Sequence, residues 1–96
     1  MSTGTLYDQG NRFTYLNTAG TTVIRTTPTR LIRININDTD AGTVDVYNAV
    51  AAAGEQVASI EAGVNATLGS KEFDVALSGG LTVVLSNNPD VTVIYK

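Results

Sequence analysis

The chain has 96 residues, 43% hydrophobic and 16% charged, with a net charge of −3 and a pI near 4.5. That length suits one domain. The absence of Cys excludes disulfides and thiolate zinc sites, and the absence of His removes the commonest transition-metal ligand. The acidic balance argues against a nucleic-acid partner, since that affinity rests on Lys and Arg displacing counterions. A core this small is thin, and oligomerisation is the supplement left open.

Residues 1–20 are polar and punctuated by Gly4, Gly10 and Gly20, with no sustained period. They nevertheless hold Leu6, Tyr7, Phe13, Tyr15 and Leu16, residues that disordered tails usually lack. The segment reads as an extended N-terminal arm, 1–20, which either packs on its own domain or docks on a neighbouring protein. It shows no basic segment followed by an apolar run, so no signal peptide is read, and synthesis in the cytoplasm is expected. No stretch approaches the roughly 18 apolar residues of a membrane-spanning helix. Asn37-Asp38-Thr39 and Asn65-Ala66-Thr67 match a glycosylation pattern, which reads as chance where no secretion signal is read.

From residue 21 a β pattern sets in, and 21–96 reads as a single β domain. "TTVIR" (21–25) is a short strand ended by Thr26, Thr27 and Pro28. "RLIRININ" (30–37) alternates, with Ile32, Ile34 and Ile36 on one face and Leu31, Arg33, Asn35 and Asn37 on the other. "DTDAG" (38–42) is a turn, and "TVDVYNA" (43–49) alternates again, which together make a hairpin.

"VAAAGEQ" (50–56) reads as a loop or a single helical turn, because Gly54 stops the Ala run. "QVASIEA" (56–62) is a less regular strand, and 63–70 is mostly connection. "KEFDVAL" (71–77) sets Phe73 and Val75 against Glu72, Asp74 and Ala76. "LTVVLS" (81–86) and "VTVIYK" (91–96) pair across "NNPD", where Pro89 suits a loop. Both runs are partly apolar on two faces, which suggests burial on both sides.

The fold class is therefore all-β: a small antiparallel β-sandwich or jelly-roll-like barrel of about seven strands with an extended N-terminal arm. The fourteen Thr and eleven Val suit half-exposed pleated surfaces. The expected core is Val23, Ile32, Ile34, Ile36, Val44, Val46, Phe73, Val75, Val83, Val93 and Tyr95.

Catalytic chemistry is hard to assemble from these residues. Without His, neither a Ser-His-Asp nor a Cys-His site is possible. "DTDAGTVDVYNA" has Gly at the fifth position and Ala at the twelfth, and so fails the calcium-loop pattern. The glycines show no G-x-G-x-x-G. No catalytic residue, metal site or cofactor is expected, and the chain reads as a non-enzyme. Tyr47 and Tyr95 are candidates for stacking on a sugar ring, and are equally at home as ordinary strand residues. Arg25, Arg30 and Arg33 form a local basic group. They read either as a solvated strand face, with their stems covering apolar surface, or as ionic contacts to a partner subunit.

The runs "AGTTVIRTTPTRLIRININDTDAGTVDVYNAVAAAGEQVASI" and "KEFDVALSGGLTVVLSNNPDVTVIYK" together resemble the small head decoration, or cement, proteins of tailed bacteriophages. The matching elements are Thr22-Val23-Ile24, Pro28 to Leu31, Gly42 to Tyr47, Phe73 to Val75, Gly80 to Ser86 and Asp90 to Tyr95, within residues 19–96. The resemblance implies a β-sandwich on the outer capsid surface that clamps neighbouring major capsid subunits, acts as a homo-oligomer with a trimer favoured, and has no substrate. It implies neither a nucleic-acid nor a membrane partner.

An arm of this length spans about 60 Å when extended, enough to cross a subunit boundary. The arm residues Leu6, Tyr7, Phe13, Tyr15 and Leu16 are the first candidates for partner contact, with Arg25, Arg30 and Arg33 second. A head-fibre base or tail-associated module is the alternative virion role, and a carbohydrate-binding module the alternative outside it.

Overall fold

The computed structural model describes residues 11–38, 42–61 and 69–96. They form eight strands: β1 (Arg12–Leu16), β2 (Gly20–Arg25), β3 (Thr29–Asp38), β4 (Thr43–Asn48), β5 (Glu55–Glu61), β6 (Gly69–Leu77), β7 (Leu81–Leu85) and β8 (Asp90–Tyr95). Two antiparallel sheets result, ordered β1-β8-β3-β6 and β2-β7-β4-β5. The pairings β1·β8, β2·β7, β3·β6 and β4·β5 are those of one long hairpin. It is wrapped so that its halves fall in alternate sheets, and β3·β8 and β4·β7 close each sheet. This is jelly-roll connectivity.

The eighth strand is β1, and it lies inside the segment read from sequence as an extended arm. "RFTYL" is a short alternating run: Thr14 and Leu16 share the register rows of the buried Val93 and Val91, while Phe13 and Tyr15 face outward. Five residues bounded by Asn11 and Asn17 are enough for a strand when β8 supplies the partner. Leu6 and Tyr7, and the turn residues 39–41, lie outside the described residues.

The core is the space between the sheets. Leu31, Ile34, Ile36, Leu77, Val91, Val93 and Tyr95 fill it from one sheet, and Val44, Val46, Leu81, Val83 and Leu85 from the other. Burying each such aliphatic side chain contributes roughly 1.5–3 kcal/mol. Ile34, Ile36, Val44, Val46, Val83, Val93 and Tyr95 were expected there. Phe73 and Val75 are half-buried but pack against it.

Two expectations are corrected. Val23 is 43% exposed, because its register partner is Thr82 on the outer face of β7. The extra residue of the β2 bulge, Ile24, packs on the core instead.

The second correction concerns β3. Leu31, not Ile32, joins Ile34 and Ile36, because the register of β3 shifts between Leu31 and Arg33 against both of its neighbours. A bulge inserts one residue and so resets the in-out alternation. Ile32 is half-buried and stands outside the core cluster.

The two-faced apolar run of β7 has a structural cause. Leu81, Thr82 and Val83 are all fully buried. The Thr82 hydroxyl donates to the Ala49 carbonyl at 2.8 Å, so its polar group is satisfied where the β4–β5 connection meets β7. In β8 the alternation is regular, with Val91, Val93 and Tyr95 buried and Thr92 and Ile94 only half-buried.

The turns follow their residues. Asn87 adopts a φ of 58°, a left-handed conformation that Asn tolerates, ahead of the buried Pro89. Gly80 has a φ of 109°, and a Cβ there would lie 2.6 Å from the Arg25 carbonyl oxygen. Glycine is therefore required both for the backbone angle and for the close approach of the β6–β7 turn to β2.

Candidate interaction surface

The outer face of the β1-β8-β3-β6 sheet gathers most of the residues singled out from the sequence. Register sets them in rows. One runs Phe13, Ile94, Arg33, Glu72, and the next runs Tyr15, Thr92, Asn35, Ser70. Phe13 is 72% exposed and Tyr15 51%, side by side on the edge strand. With the half-buried Ile94 they form the apolar part of this face.

The rest of the face is polar and internally bonded. The Tyr15 hydroxyl donates to Asp90 Oδ2 at 2.6 Å. The Asn37 amide donates to Asp90 Oδ1 at 3.2 Å and to Thr92 Oγ1 at 3.0 Å. Ser70 Oγ donates to Asn35 Oδ1 at 2.7 Å. The hydrogen bond to Asp90, followed by slight desolvation and the negative charge of that carboxylate, raises the Tyr15 pKa above the ordinary tyrosine value. The phenol thus stays a donor, and its ring is held in place on the edge strand.

Two ion pairs occupy the far side of the face. Arg30 Nε meets Asp74 Oδ1 at 2.7 Å, and a second guanidinium N–H donates to the Asp74 carbonyl at 3.1 Å. Arg33 Nε meets Glu72 Oε2 at 3.2 Å. The Arg30 hydrogen bond and charge hold the Asp74 carboxyl below its usual range. Asp74 has a φ of 54° within the irregular β3–β6 register, and the fork of Arg30 grips it through both side chain and backbone. Both pairs are solvent-exposed, and such pairs contribute little to stability.

The predicted contact residues therefore separate. Phe13 and Tyr15 are displayed. Leu16 faces the other way and packs against the core. Arg30 and Arg33 share the face with the aromatics but are engaged with carboxylates of their own chain. Arg25 lies in the other sheet, half-buried, with its Nε enclosed and unbonded and one terminal N–H 3.4 Å from Thr27 Oγ1.

The pair Tyr47 and Tyr95 does not form a sugar platform. Tyr95 is buried with its hydroxyl 3.2 Å from Thr14 Oγ1, and Tyr47 belongs to the opposite sheet. Ile94 is the contributor that sequence reasoning missed as a surface residue. Its signal is the period-2 step between the buried Val93 and Tyr95.

Among the described residues no group of three or more His, Cys, Asp or Glu lies close enough together to hold a metal ion, and no helix is long and apolar enough to cross a membrane. Compared with known proteins, the chain matches no family model, no curated protein and no solved structure.

Proposed function

We propose that this chain is a virion structural protein that decorates the outer surface of a tailed-phage capsid. It docks on the major capsid protein through the outer face of the β1-β8-β3-β6 sheet. The observation that carries this is the exposure of Phe13 and Tyr15 side by side on an edge strand, continuous with Ile94. Large aromatics left in water on an otherwise polar, bonded face are characteristic of protein contact sites. The acidic net charge of −3 suits the outside of a shell better than its DNA-facing side. The resemblance of residues 19–96 to decoration proteins points the same way.

Small contacts repeated by symmetry supply avidity that a single small domain lacks. Co-sedimentation of the purified protein with assembled heads of the virus that encodes it tests the reading. The Phe13→Ser/Tyr15→Ser double variant is expected to lose binding by tenfold or more while still folding, with a cooperative thermal transition lowered only by loss of the Tyr15–Asp90 bond. Unchanged binding by that variant, or no binding by the wild type, overturns the reading.

One observation favours a second reading, a carbohydrate-binding module. The Tyr15 ring is fixed by Asp90, which the Asn37 amide also reaches, so an aromatic face and polar groups converge beside Phe13. Retention on a glycan array, lost in Tyr15→Ala, is its signature.

A further inference from the structure

Among the described residues, the four sheet edges are β1, β6, β2 and β5. Exposed edges invite pairing with another chain, and proteins guard them with bulges and charges. Three of the four are guarded. Strand β2 bulges between Val23 and Arg25. Strand β5 bulges at Val57 and is flanked by Glu55 and Glu61. Strand β6 has an irregular register, the left-handed Asp74 and three charged residues.

Strand β1 is the least guarded: it has no bulge, and its one charge is Arg12 at its start. Its register with β8 is unbroken from Arg12 to Leu16, it contains no Pro, Gly or Lys, and no hydrogen bond from another described residue reaches its outer edge. It also carries the two most exposed strand aromatics.

We infer that β1 is the pairing edge for a second copy of this chain, joined antiparallel about a twofold axis at Thr14. That register sets Phe13 opposite Tyr15 of the second copy on the outer face, twice, and Thr14 opposite Thr14. Aromatic–aromatic and Thr–Thr pairs are favoured cross-strand neighbours.

Charge selects the antiparallel sense. Arg12 stands at one end of β1, with no ion pair among the described residues, and Asp90 stands beside the other end. Antiparallel pairing brings the unlike ends together. The product is a continuous eight-stranded sheet with four aromatics in one strip across the twofold axis. Such an interface is isologous and closes at two, unlike the threefold assembly implied by the resemblance. Two five-residue strands bury less than the ~1,000 Å² of a stable interface, so the pairing is reversible in solution.

This inference does not depend on the capsid reading, and its test uses the protein alone. Light scattering on the full chain from about 10 μM to 1 mM is expected to show the mass rising from 10.1 kDa toward twice that value. Phe13→Lys/Tyr15→Lys places like charges opposite each other and is expected to remain monomeric throughout. Phe13→Glu/Tyr15→Lys places opposite charges across the same register and is expected to restore the rise. Both positions are exposed, and the thermal midpoint of each variant checks that it folds.

A wild type that stays monomeric at 1 mM overturns the inference, and so does a trimer. A dimer indifferent to the double-lysine change, or one that the charge-paired variant fails to restore, overturns it as well. Shell binding without self-association in solution would leave the capsid reading standing and remove this one.

Discussion

The Tyr15 hydroxyl and Asp90 Oδ2 meet at 2.6 Å, tying the edge strand to its neighbour across 75 positions of sequence. Asp90 holds the phenol protonated, so Tyr15 is expected to ionise above the ordinary tyrosine range. The folded-state pKa is raised, so the bond's contribution is complete below about pH 10 and disappears as pH rises through the folded value. An ultraviolet difference titration between wild type and Tyr15→Phe isolates this group. Asp90→Asn is expected to move its transition back toward pH 10. No movement would mean that Asp90 is not the cause.

The bulge in β3 makes neighbouring residues unequal. Leu31 is fully buried and Ile32 lies outside the core cluster. Leu31→Ala is expected to cost about 2–5 kcal/mol, the usual range for an aliphatic deletion in a packed core. Ile32→Ala is expected to cost about 1 kcal/mol. Urea denaturation of the two variants checks the order, and a larger loss for Ile32→Ala would show that the alternation runs unbroken.

Asp74→Asn tests the Arg30 pair without disturbing the backbone, since Asn also accepts a left-handed φ. The Asp74 pKa is lowered in the folded state, so the stabilisation is present above the unfolded value and lost as pH falls through the folded one. The variant is expected to melt slightly below wild type at pH 7. The gap should close as the pH drops below about 4, the ordinary aspartate value. Thermal melts across that range provide the check.

Two glycines with positive φ separate strain from collision. Gly20 has a φ of 136° and open space where a Cβ would point, while Gly80 has a φ of 109° and the Arg25 carbonyl in the way. Gly20→Ala is expected to cost about 1–2 kcal/mol from backbone strain alone. Gly80→Ala is expected to cost more, about 3 kcal/mol or above, as strain and collision combine. Equal losses in a denaturation experiment would remove the collision from the account.

The sandwich was legible because most strands alternate visibly and turn residues separate them. "TVDVYN" shows the pattern cleanly, and Val44 and Val46 are indeed the buried pair. What was not legible depended on partners far away in sequence. Strand β1 is too short to stand out in a polar, glycine-punctuated segment, and becomes a strand because β8 lies beside it. The run at 30–37 reads as an unbroken alternation, but its bulge is set by register against β6 and β8, which no local pattern encodes. The same holds for the surface. Phe13 and Tyr15 were identifiable as contact candidates by residue type, but that Leu16 turns inward follows only from the pairing of β1 with β8.

The placement of β8 has a consequence for how the chain is made. Strand β8 sits in the middle of its sheet, and among the described residues it is the strand that pairs with β1. Thr14 and Tyr95, which touch through their hydroxyl groups, are 81 residues apart. Strand β2 likewise waits for β7. On the ribosome, β1 and β2 emerge well before β8 and β7, the strands they pair with among the described residues. Closure must then gather distant segments at once, which places folding in the slow millisecond-to-second class. During that interval the apolar faces of β1 and β2 are open to any other chain nearby, so yield during expression is governed by the speed of closure as much as by the stability of the finished domain.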